Sequence, residues 1–74
     1  MIKIDRTNIR KVMKLLREGN VIYLNGKRIS YNNDNNFDIE YTYNGENNKI
    51  QRKDKWVKNF IKNDYLEESL YMVL

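Results

Sequence analysis

Two Asn-Gly pairs constrain this chain more than any other feature. Asn25-Gly26 separates the apolar run Val21-Ile22-Tyr23-Leu24 from the stretch Lys27–Tyr31. Both residues of such a pair tolerate the positive φ of a type I′ turn, so this segment is expected to fold as a tight antiparallel hairpin. Further on, Phe37, Ile39, Tyr41 and Tyr43 alternate with Asp38, Glu40 and Thr42. That period of two describes a half-buried strand with one acidic face. Asn44-Gly45, with Glu46, Asn47 and Asn48, is expected to make a second turn, and residues 49–53 a short fourth strand or merely the beginning of one. Residues 32–36 are all Asn or Asp and read as a polar loop.

The helical period appears on either side of this β-rich middle. Ile9, Val12, Met13 and Leu16 follow the i, i+3, i+4, i+7 spacing of one helix face, and Leu15 widens it. Asp5 or Thr7 is a suitable N-cap, and Gly19 stands where a left-handed C-cap belongs, so a helix is expected over residues 6–18. Asp54 is placed to cap a second helix. Its Trp56, Val57, Phe60 and Ile61 share one side, with Lys55, Lys58 and Lys62 on the rim and Asn63-Asp64 at its end. At this spacing Trp56 and Phe60 read as core rather than as a stacking platform. Ile2 and Ile4 could form a short edge strand. Residues 70–74 read as a last strand, with a continuous helix through residues 65–72 as the competing reading.

The expected fold class is therefore α+β, as one small domain spanning residues 1–74. A mostly antiparallel sheet of four to five strands is covered on one face by one or two helices, in the order α-β-β-β-β-α-β. A chain of 74 residues buries only about 60% of its unfolded surface, so its own core is marginal and homo-oligomer formation stays open.

Charge and missing residue types narrow the function. Residues 1–28 hold eight Lys/Arg against two acids, and residues 29–48 hold four acids with no Lys/Arg. Residues 49–62 hold six bases and one acid, and residues 63–74 hold three acids and no base. The chain has no His and no Cys. Histidine relays, nucleophilic cysteines, disulfides and the usual zinc ligands are thereby excluded. No Walker or dinucleotide fingerprint and no nucleophile elbow occurs. The expectation is a binding protein, not an enzyme, with no cofactor and no metal. No apolar run approaches the ~20 residues of a membrane span, and a cytoplasmic location without membrane contact is expected.

Within helix 6–18, Arg6, Arg10, Lys14 and Arg17 are spaced to line one ridge, which Lys27 and Arg28 of the first hairpin would extend. Such a ridge can track phosphates or grip an acidic protein surface. Tyr23 and Tyr31 are candidate contact residues, because tyrosine covers area at low entropic cost. Asp38 and Glu40 share a strand face that could meet basic groups on a partner. Ile, Lys, Asn and Tyr supply 35 of the 74 residues, while Ala and Pro are absent. This bias reflects AT-rich coding, as in a phage, a mobile element or an AT-rich bacterium.

Residues 9–28, which run from a helix through Leu15-Leu16-Arg17-Glu18-Gly19-Asn20-Val21 into a strand and a basic turn, resemble the opening of many compact phage domains. The stretch Asp64-Tyr65-Leu66-Glu67-Glu68-Ser69-Leu70-Tyr71-Met72-Val73 is similar to the closing Asp-x-Leu-x-x-x-Trp-x-Ile-Val of the Thoeris anti-defence sponge family, with Leu70 in place of the aromatic. The Gly-Trp pair of that family after the first strand is absent, and no binding residue carries over. More broadly, the chain resembles phage anti-defence proteins such as anti-CRISPRs. The resemblance implies an inhibitor that binds and blocks a host defence protein such as a CRISPR effector. The alternative is a binder of nucleic acid or cyclic nucleotide, either a signal sponge or a small basic DNA/RNA-binding regulator.

Overall fold

A computed structural model describes residues 1–63 and 70–73. The elements run β1 (Ile2–Ile4), α1 (Ile9–Arg17), β2 (Ile22–Leu24), β3 (Lys27–Tyr31), β4 (Asn36–Tyr43), β5 (Glu46–Lys53), α2 (Asp54–Asn63) and β6 (Leu70–Met72). The fold is α+β, with one six-stranded sheet in the order β1-β6-β2-β3-β4-β5. Every neighbouring pair is antiparallel. No described helix is long and apolar enough to cross a membrane.

Both Asn-Gly pairs make two-residue turns. Asn25 and Gly26 have φ of 52° and 70°, and Asn44 and Gly45 have 51° and 77°, the positive values a type I′ turn demands. The second turn is tighter than the sequence suggested. Glu46, Asn47 and Asn48 belong to β5 rather than to a loop, because a two-residue turn lets pairing begin at once with Tyr43 opposite Glu46. Thr42 Oγ1 and Asn47 Oδ1 lie 3.1 Å apart across the ladder.

Helix α1 starts later than residue 6. Asp5 and Thr7 satisfy each other instead: the Asp5 carboxylate accepts from Thr7 N at 2.9 Å and from Thr7 Oγ1 at 2.6 Å. Asn8 is the N-cap, its side chain accepting from Lys11 N. The C-terminus closes as expected. Gly19, at φ +97°, donates to Leu16 O, and Asn20 N donates to Leu15 O, the paired bonds of a Schellman motif.

The late start removes Arg6 from the helical ridge. Its guanidinium crosses to α2, where Nε and Nη2 donate to Ile61 O at 3.1 and 2.8 Å. Ile61 lies in the last turn, where carbonyls lack intrahelical partners and the helix dipole favours a cation. Arg6 is thus a C-terminal cap for α2.

Both helices lie on one face of the sheet. Strand register places Ile2, Met72, Ile22, Ile29, Ile39 and Ile50 in one row across all six strands on that face. Val12, Met13 and Leu16 of α1 and Val57 and Ile61 of α2 close over this layer. Phe37, Leu24 and Leu70 are also buried. Trp56 departs from its expected core position, since it is 39% exposed. It sits one residue, or about 100°, before Val57, so the buried stripe of α2 is Val57 and Ile61, with Phe60 half-buried at its margin. Its ring stacks on Phe60 at 5.4 Å, with Arg52 over it at 5.5 Å and Lys27 over Phe60 at 5.5 Å.

The final strand is three residues long, and it inserts between β1 and β2 rather than lying at an edge. Of the competing helix over residues 65–72, residues 70–72 are strand; residues 64–69 lie outside the described residues.

Candidate functional site

The fold brings the two basic blocks of the sequence together. α1 carries four cations and no acid. α2 carries three cations and one acid, Asp54. The two helices thus hold a net charge of +6 in a chain whose total is +4, leaving −2 for everything else. All of this helical charge lies on the layer that covers the sheet.

A shallow groove of about 360 Å³ runs between the helices, lined by Arg10, Lys14, Arg17 and Glu18 of the α1 segment and Lys58 of α2. Met13 closes its floor. Of the expected ridge, Arg10 and Lys14 are exposed. Arg17 is committed to the fold: it pairs with the Asp54 carboxylate, and its guanidinium lies 5.6 Å from the Phe37 ring and 6.0 Å from the Tyr31 ring. Lys58 also pairs with Asp54, at 3.0 Å.

Asp54 is the electrostatic pivot between the helices. Burial pushes its carboxyl up, but hydrogen bonds from Arg17 and Lys58 and their charges outweigh this and hold it below the ordinary value of 3.8. A depressed carboxylate stabilises the fold above its unfolded pKa and loses that contribution as pH falls through the folded pKa. The stability difference between the parent chain and Asp54→Asn is therefore expected to be constant above about pH 5 and to shrink progressively as pH falls below the ordinary carboxylate range. Urea titrations across that range check it. The pair is surface-exposed, so the difference should be about 1 kcal/mol or less. A difference that grows toward low pH would refute the assignment.

The other hairpin residues do not extend the ridge. Lys27 points to the helix side but sits over Phe60 of α2. Arg28 lies on the opposite, uncovered face, one residue out of phase with buried Ile29. There it bonds Glu40 at 2.6 Å. Asp38 is held by Gln51 Nε2 at 3.1 Å and by Lys49 Nζ at 3.5 Å. The acidic strand face is thus neutralised by the strands beside it, because β3 and β5 place Arg28 and Lys49 directly opposite Glu40. Tyr31 also has a structural role: its ring packs against Phe37 at 5.1 Å and its hydroxyl accepts from Asn35 N.

Register draws a second row along the open face: Lys3, Tyr71, Tyr23, Arg28, Glu40 and Lys49. Tyr23, Arg28, Glu40 and Lys49 border a shallow concavity of about 660 Å³ there, with Thr42 and Asn47. Lys58 and Tyr71 join these surfaces through tertiary contacts that no local spacing in the sequence reveals. No protein-family model, curated protein or solved structure matches this chain.

Proposed function

We propose that this protein is a non-enzymatic inhibitor that acts by contact, docking its basic helix layer on an anionic surface of a host immune component. The supporting observation is the +6 charge gathered on α1 and α2, where the other described residues together carry only +1. Such an asymmetry orients the protein as it approaches and speeds encounter with an acidic target. Arg10 and Lys14, exposed on α1, and Lys58 across the groove would form the central contacts. The acidic strand takes no direct part, since Asp38 and Glu40 already have cations beside them.

A nucleic-acid backbone is the second reading, favoured by the absence of any acid from α1. Salt and nuclease separate the two. Tagged protein is used to capture partners from an AT-rich bacterial host, and the capture is repeated with Arg10→Glu/Lys14→Glu. A stoichiometric protein that survives nuclease and is lost with the charge reversal is the expected result. Each phosphate contact adds close to one unit to the log–log salt slope, so a steep slope with nuclease-sensitive material would make the ligand nucleic acid. Binding unchanged by the reversal would remove the helix layer from the interface.

A further inference from the structure

The sheet ends differently on its two sides. β1 is a three-residue edge, whereas β5 is an eight-residue edge paired to β4 at every position and free of proline. The two-residue turn at Asn44-Gly45 makes Tyr43 and Glu46 a hydrogen-bonded pair. Alternation then directs the backbone groups of Glu46, Asn48, Ile50 and Arg52 inward to β4. Those of Asn47, Lys49, Gln51 and Lys53 point outward. Among the described residues, no other strand pairs with this row. One of its carbonyls, Gln51 O, accepts from the side chain of Arg52 at 2.8 Å.

We propose that β5 pairs antiparallel with β5 of a second copy, making a twofold dimer with a continuous twelve-stranded sheet. The outward row selects the occupant, because it alternates amide and cation: Asn47, Lys49, Gln51, Lys53. A twofold axis perpendicular to the sheet at Ile50 sets Asn47 opposite the partner's Lys53 and Lys49 opposite the partner's Gln51. Every lysine then faces an amide. Shifting the axis by one residue toward Lys49 sets Lys49 against its own copy, and shifting it to Gln51 sets Lys49 against Lys53. Like charges opposite one another are unfavourable, so of these three central registers the one at Ile50 is favoured.

In that register Ile50 meets its own copy on the helix-covered face, where it already packs against the core. The row of isoleucines thereby continues across the axis. A perpendicular twofold keeps both helix layers on the same side, so the dimer presents two +6 surfaces in one plane. Dimerisation also supplements a core that is small for an independent domain.

Sedimentation equilibrium of the full chain, up to about 1 mM, is the test. The expected species has twice the 9.1 kDa monomer mass. Gln51→Pro removes an outward N–H that β4 does not use, so it should give a folded monomer. Asn47→Glu sets a carboxylate opposite Lys53 in each of the two symmetric pairs, and Asn47→Lys sets like charges there. The first should tighten dimerisation by roughly two- to thirtyfold at low salt and the second weaken it. The Asn47 pair decides the matter even if Gln51→Pro fails to fold. A parent chain that stays monomeric throughout, a folded Gln51→Pro that still dimerises, or Asn47 variants with equal affinity would each overturn the proposal.

Discussion

Phe37→Ala is expected to destabilise the protein by about 3–5 kcal/mol, a large part of what a domain of this size possesses. Phe37 has the largest of the fully buried side chains. It lies on β4 between Tyr31 of β3 and Arg52 of β5, at the end of the sheet where α1 and α2 meet. Tyr31 packs on it at 5.1 Å, and the Arg17 guanidinium sits 5.6 Å from its ring while pairing with Asp54. Truncation therefore opens a cavity and withdraws the surface on which the interhelical ion pair rests. Thermal and urea unfolding read the loss. Trp56→Ala is the control: its ring is 39% exposed, and its stacking on Phe60 sits outside the core, so its cost should be well under half as large. Equal costs for the two would contradict the placement of α2.

Leu16→Ala is expected to cost about 2–5 kcal/mol, and the neighbouring Leu15→Ala clearly less. Leu16 is fully buried, with Val12 one turn before it on the same stripe. Leu15 lies about 100° away and is only half-buried. The two leucines are chemically identical, so their difference isolates the rotation of α1 about its axis. Urea unfolding of the two single variants under one condition is sufficient. A larger loss at Leu15 would mean that α1 presents another face to the sheet. A parallel control is Leu16→Met, which preserves volume and should cost less than about 1.5 kcal/mol.

Much of the architecture was already legible in local residue patterns. The Asn-Gly pairs fixed both hairpins because few residue pairs tolerate two successive positive φ values. The period of Ile9, Val12, Met13 and Leu16 fixed α1, and Gly19 fixed its end. The alternation from Phe37 to Tyr43 gave the two faces of β4. Each of these signals is a short-range steric or burial rule that acts within a few residues.

The candidate surfaces were less legible, for a physical reason at each residue. Arg6 reads as one turn before Arg10, yet an Asp5–Thr7 turn delays the helix and sends Arg6 to the Ile61 carbonyl. Arg17 shares the ridge spacing, yet α2 brings Asp54 to it. Asp38 and Glu40 look like an unpaired acidic face until Arg28 and Lys49 arrive from adjacent strands. Trp56 lies a third of a turn from the stripe that is buried. By itself, then, the sequence determined the turns, the helices, the alternation of faces and the exclusion of histidine and cysteine chemistry. Only the tertiary structure decided that β6 inserts between β1 and β2, that the cations of α1 and α2 share one layer, and that Asp38 and Glu40 gain cations beside them. These depend on contacts between residues far apart in the chain, and neither spacing nor propensity carries that information.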